Sequence, residues 1–166
     1  MRSAETMKQT LRIFFILLLI CSSPWGRELK AETTISHSKG QTVYVPIYSH
    51  IFGGNKERPI FLAATLSIRN IDAKYPITVT VADYYGETGK LLQNYIKKPL
   101  RLEAMTSTQF MVPESHKAGG LGANFIVKWE SDTEVNPPII ESIMIGTQNQ
   151  QGISFTSRGQ AIEEQD

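Results

Sequence analysis

The chain has 166 residues, 17 of them basic and 16 acidic, for a formal net charge of +1. With Lys97-Lys98 and nearby Arg101 as its densest basic cluster, it lacks the sustained stripe of Lys and Arg on which nucleic-acid binding rests, and no nucleic-acid partner is expected. A single cysteine, Cys21, leaves the fold to be held by packing rather than by disulfides.

The first segment is a targeting signal. Ile13 to Ile20 is an unbroken apolar run, preceded by Arg2, Lys8 and Arg12 and followed by Ser22 and Ser23. A basic lead, a short apolar core and a polar exit make a secretory signal peptide, and the run is less than half of the roughly 20 residues a membrane-spanning helix needs. Residues 1–31 are read as the leader, cut after Ala31 or nearer Gly26 or Ser23. A lipoprotein cut at Cys21 is the alternative, although Ile20 is larger than the small residue such a site prefers. Membrane contact is expected only through the leader or a lipid on Cys21. Removing the leader takes away five basic and two acidic residues and leaves 12 against 14, a net charge of −2. The product is expected to be exported, periplasmic or associated with the cell envelope.

Residues 32–40 read as a flexible approach to a β domain over 41–158. Val43, Val45 and Ile47 alternate with Tyr44, Pro46 and Tyr48. Pro46 cannot donate a ladder hydrogen bond, so this strand is expected at an edge or at a bulge. Leu62, Ala64, Leu66 and Ile68 share one face, with Ala63, Thr65, Ser67 and Arg69 opposite. After the turn 70–76, Ile77, Val79 and Val81 share a face. Gly86-Glu87-Thr88-Gly89 suits a tight hairpin returning through Leu91 to Ile96. Thr106, Thr108, Phe110 and Val112 align before Pro113 stops the strand. Ala123, Phe125, Val127 and Trp129 form the clearest core face. Ile139 to Ile145 is apolar on both parities apart from Glu141 and Ser142, and does not declare its buried side. Ile153 to Ser157 is the last strand, and residues 159–166 read as a mobile acidic tail.

No long window shows helical periodicity. About eight short strands separated by turn signals predict an all-β, immunoglobulin-like antiparallel sandwich, with a closed barrel as the alternative.

Chemistry-bearing constellations are sparse. Gly119-Gly120-Leu121-Gly122 precedes a strand rather than a helix and lacks a following Lys-Ser or Lys-Thr, so it reads as an inter-strand loop and not a phosphate cradle. His50 and His116 are weak metal candidates for a periplasmic copper-type protein, with Met105, Met111 and Met144 as soft donors, but their spacing matches no ligand register. Ser154 and Ser157 lack the flanks of a nucleophile elbow. Asp83, Glu87, Glu130 and Glu141 could supply paired carboxylates for a hydrolase, with no spacing that singles them out. No cofactor and no enzyme activity are expected. Aromatic residues outside a core favour contact sites, because they bury area at little entropic cost. Tyr44, Tyr48, Tyr84 and Tyr85, with Asn124 and Arg158, therefore form the candidate binding surface, and an envelope protein or other envelope component is the expected partner.

Gly40-Gln41-Thr42-Val43-Tyr44-Val45-Pro46, Ala64-Thr65-Leu66-Ser67-Ile68-Arg69-Asn70, Gly122-Ala123-Asn124-Phe125, Asn136-Pro137-Pro138 and Gly152-Ile153-Ser154-Phe155-Thr156-Ser157-Arg158-Gly159 together resemble a family of short exported bacterial proteins, the domain of unknown function number three-one-two-four. The resemblance runs from about Gly40 to Gly159. It implies a bacterial source and an export route, and brings no activity, cofactor or catalytic residue with it.

Overall fold

The computed structural model describes residues 36–53, 58–147 and 152–164; the leader, with Cys21 and Ala31, lies outside them. Among the described residues, period-two alternation produces twelve strands rather than about eight, because several are pieces of three or four residues. They are β1 (Ser38–Pro46), β2 (His50–Phe52), β3 (Pro59–Phe61), β4 (Ala63–Arg69), β5 (Ile77–Tyr85) and β6 (Leu91–Asn94). After these come β7 (Leu100–Leu102), β8 (Ser107–Val112), β9 (Asn124–Val135), β10 (Ile139–Gly146), β11 (Ile153–Arg158) and β12 (Gln160–Glu164).

These strands build an antiparallel sandwich. The larger sheet has the order β12-β1-β9-β5-β6, with β7 also pairing with β5; the smaller has the order β11-β10-β4-β8, and β2-β3 is a separate hairpin. Neither sheet closes into a barrel. The turn before β6 is tight as anticipated, with Gly89 at φ +76°. Inward-facing Val43, Val45, Phe125, Val127, Trp129 and Tyr84 meet Leu66, Ile68, Ile140 and Met144 from the other sheet, all at 5% exposure or less. Full burial of such side chains is worth on the order of 2 kcal/mol each.

Four local expectations change. Of the two placements expected for β1 the edge is overturned, since it is an interior strand between β12 and β9, while an irregularity of the bulge kind is present. Its register with β12 slips between Thr42 and Val43 and the pairing stops at Tyr44, so Pro46 needs no donor on that side. In β5, Thr80 is an extra residue between Val79 (opposite Trp129) and Val81 (opposite Lys128). This bulge reverses the parity: Ala82 and Tyr84 turn inward, and Val81 joins the outer face. At the front, Ser38 to Gly40 belong to β1 instead of to a flexible lead-in. The expected acidic tail also pairs: residues 160–164 run antiparallel to β1, and Gln41 Nε2 donates to Glu164 Oε1 at 3.2 Å.

The two lateral edges are closed differently. On one, the chain passes from β11 in the smaller sheet to β12 in the larger one through Gly159, whose N–H donates to the Ile140 carbonyl at 2.8 Å. A Cβ there would lie 2.7 Å from Val43 Cγ1 and 2.9 Å from the Ile140 oxygen, so only glycine fits. Beside it, the buried Ser142 hydroxyl donates to the Pro46 carbonyl at 2.5 Å and ties the sheets together. On the opposite edge, Tyr95 packs on Phe110 and Phe125, with ring centroids 5.5 and 5.4 Å away. Its hydroxyl donates to the Met111 carbonyl at 3.0 Å.

Candidate functional site

The pairing register decides which sequence candidates meet. Residues directly opposite in an antiparallel pair point to the same side. Across the outer face of the larger sheet, Tyr44 lies opposite Ile126, which lies opposite Asp83, which lies opposite Asn94. In the next row, Pro46 lies opposite Asn124, Asn124 opposite Tyr85, and Tyr85 opposite Leu91. Tyr44, Asn124 and Tyr85, from three adjacent strands, therefore share one surface. All three are half-buried, and Leu91 beside them is exposed. Asn94 Nδ2 donates to Asp83 Oδ1 at 2.6 Å, which orients the amide on this face.

Three other candidates fall elsewhere. Tyr84 is in the core at 0% exposure and is no contact residue; the bulge at Thr80 turned it inward. Its ring lies against Phe125, 5.2 Å between centroids, and its hydroxyl presses on Gly119, where a Cβ would sit only 2.0 Å away. Burial pushes its pKa up to about 12. Tyr48 packs edge-on against Phe155 at 5.7 Å as part of the core margin. Arg158 lies opposite Glu141 on the smaller sheet, whose outer face points away from the tyrosines. Glu141 already pairs with Arg69 at 3.4 Å.

At the far end of the same outer face is a groove of about 570 Å³, lined by Lys39, Tyr75, Thr78, Arg101, Glu130 and Asp132 among others. Thr78, Glu130 and Arg101 occupy one cross-strand row, with Glu130 opposite Thr78 and Thr78 opposite Arg101. Tyr75 at the rim is held by the loop before β5. Asp72 Oδ1 accepts the N–H groups of Lys74 (2.9 Å) and Tyr75 (3.0 Å), and Oδ2 accepts the Asn136 N–H (3.1 Å) and side-chain amide (3.2 Å). Asn70 Nδ2 completes the knot with the carbonyls of Tyr75, Leu102 and Glu103. Hydrogen bonds from Lys74, Tyr75 and Asn136 hold the Asp72 carboxyl down at about 2, against an ordinary 3.8. Sequence reasoning saw only turn chemistry here, because the groove's walls come from segments far apart along the chain.

The remaining candidates lie in separate places. The Gly120 N–H donates to Ser49 Oγ at 2.9 Å and the Leu121 N–H to Glu87 Oε2 at 3.2 Å, so two amides of the glycine-rich loop are taken up by protein oxygens. The His50 ring is edge-on to Phe52 and Phe61, and His116 is edge-on to Tyr84. Among the described residues no group of three or more His, Cys, Asp and Glu side chains is gathered as a metal site. Ser154 lies opposite Ile145 on the exposed side of β11. Asp83 and Glu130 share the larger sheet's outer face in different rows, Glu141 lies on the smaller sheet and Glu87 in a loop.

No curated protein matches this chain. A solved structure titled "Crystal Structure of Thermotoga maritima 1070" aligns at 12% identity over 77% of this chain and 97% of that one; at a TM-score of 0.45 the likeness carries no argument. A family model described as "Protein of unknown function (DUF3124)" matches residues 40–162, from near the start of β1 into β12. Because that match spans nearly all of the sandwich, the chain belongs to this family.

Proposed function

We propose that this protein is an exported, non-enzymatic binding module of the bacterial cell envelope, and that it works through the outer face of the larger sheet. The observation that carries the reading is the meeting of Tyr44, Asn124 and Tyr85 on one surface, flanked by Ile126 and exposed Leu91. Rings held half-buried by strand packing lose little freedom when a ligand covers them, and polar groups between them fix its orientation. Support for export comes from the basic, apolar and polar order of residues 2–23.

Proximity labelling in the exporting cell tests both parts. The wild-type protein is expected to label an envelope component that a Tyr44→Leu/Tyr85→Leu variant labels weakly or not at all. Equal labelling by the two argues against this face. Turnover of a substrate by the purified protein would reverse the non-enzymatic assignment, and retention of the chain in the cytoplasm would remove the envelope.

A further inference from the structure

We infer that the ligand of this face is an uncharged glycan chain, lying along the larger sheet from the Tyr44–Tyr85 pair toward the groove beside Tyr75. The inference rests on the outer face being the recognition surface and names the class of ligand it takes.

Geometry supplies the first argument. Tyr44 and Tyr85 are on strands separated by β9 and lie one cross-strand row apart. Two strand spacings, roughly 10 Å, combined with a two-residue offset of roughly 7 Å put their backbones about 12 Å apart. That is too far for two rings to hold one small molecule, and it suits alternate sugars of an extended oligosaccharide. The side chains between them are Asn124, Ile126 and Asp83, with Asn94 hydrogen-bonded to Asp83. A pyranose presents C–H faces that stack on aromatic rings and hydroxyl edges that need paired donors and acceptors; amides and carboxylates between two rings provide both.

Charge supplies the second. Asp83 has Lys128 in the neighbouring row, Glu163 lies opposite Thr42 at the β12 margin, and in the groove Lys39 and Arg101 stand among Glu130 and Asp132, with Arg101 also paired to Glu103 at 2.8 Å. A face on which both signs are interspersed presents no single-sign field to hold a polyanion or a polycation, and suits an uncharged polymer.

Other occupants fit less well. β9 and β5 are interior strands whose backbone groups pair with strand neighbours on both sides, so a peptide cannot add a strand at the centre of this face. Asn124, Asp83 and Asn94 interrupt the apolar area that a lipid surface would need. The groove extends the same surface past Thr78 to Tyr75, which is 46% exposed, and so continues a path long enough for several sugars.

The test is calorimetric titration of the full chain, recovered from its exporting cell, with β-1,4-linked hexamers of glucose, N-acetylglucosamine and mannose and with their monosaccharides. At least one hexamer is expected to bind roughly tenfold or more tightly than its monosaccharide, since only the longer ligand reaches both rings. Tyr44→Leu and Tyr85→Leu keep the bulk and remove the ring, and each is expected to weaken the hexamer roughly tenfold. Tyr44→Phe and Tyr85→Phe keep the stacking surface and most of the affinity, while Thr156→Ala on the opposite sheet changes nothing. Circular dichroism checks that each variant is folded. No binding by any hexamer, equal affinity for hexamer and monosaccharide, or leucine variants that bind like wild type would each overturn the inference. If the hexamers fail while Tyr44→Leu/Tyr85→Leu still abolishes proximity labelling, the glycan falls and the binding face stands; if that labelling is also unaffected, both fall.

Discussion

The two lateral edges of the sandwich perform one task with different physics. At the Gly159 edge the backbone itself crosses from sheet to sheet, and the buried Ser142 hydroxyl reaches the Pro46 carbonyl. At the Tyr95 edge the sheets are joined by a side chain, through two ring contacts and one hydroxyl at the strand margin. A closure made of backbone tolerates no added atom. A closure made of one side chain can be trimmed in steps, and it carries a titratable group where the other carries none. Substitutions should therefore act abruptly on the first edge and gradually on the second.

Gly159→Val is expected to be the most damaging change, costing about 3 kcal/mol or more as the new side chain meets Val43 and the Ile140 carbonyl; thermal melting measures it. Ser142→Ala comes next. It leaves the Pro46 carbonyl without its donor inside the protein, for a loss of about 2 kcal/mol in urea unfolding with an unchanged slope. An equal melting temperature for wild type and Ser142→Ala would mean that this edge does not depend on the hydroxyl. Tyr95→Phe keeps both ring contacts and gives up one solvent-reachable hydrogen bond, so its cost should be about 0.5–1 kcal/mol, the smallest of the three.

The pH response sharpens the contrast. Burial raises the pKa of Tyr95 and takes that of neighbouring Tyr84 to about 12. The folded state thus favours the neutral phenols, so this contribution is complete below the ordinary value of 10.0 and is lost as pH rises from there toward about 12. Asp72 has the opposite sign. Its carboxyl is lowered to about 2, so its contribution is complete above the unfolded 3.8 and is lost as pH falls toward 2. Melting followed from pH 2 to 12 should decline at both extremes, with Tyr95→Phe blunting only the alkaline loss and Asp72→Asn only the acid one. An alkaline limb that Tyr95→Phe leaves unchanged would assign it to Tyr84 alone.

Much of the fold was legible because one buried face forces strict alternation. β4 and β9 have the inward sets read from their residues, and β8 follows the parity of Thr108, Phe110 and Val112. The candidate surface was legible in part. Tyr44, Asn124 and Tyr85 do converge, yet nothing local distinguishes Tyr84 from Tyr85, since the bulge at Thr80 exists only in the pairing of β5 with β9. The tail reads as polar and acidic because an edge strand can be held by its backbone pairing, which leaves no apolar pattern behind.

Side-chain periodicity alone determined that this chain is all-β, and which residues of its best strands face the core; that two open sheets stack, instead of one sheet closing into a barrel, came from the strand pairing. Only the tertiary structure decided matters of parity and partnership. It sends Ser142 inward in a segment apolar on both sides, because Pro46 offers its hydroxyl a carbonyl across the core. It turns Tyr84 in and leaves Tyr85 out, because a single inserted residue reverses every side chain that follows. It also gathers the groove beside Tyr75 from β1, β5, β7 and β9 and the loop before β5, segments that become neighbours only once the sheet is assembled.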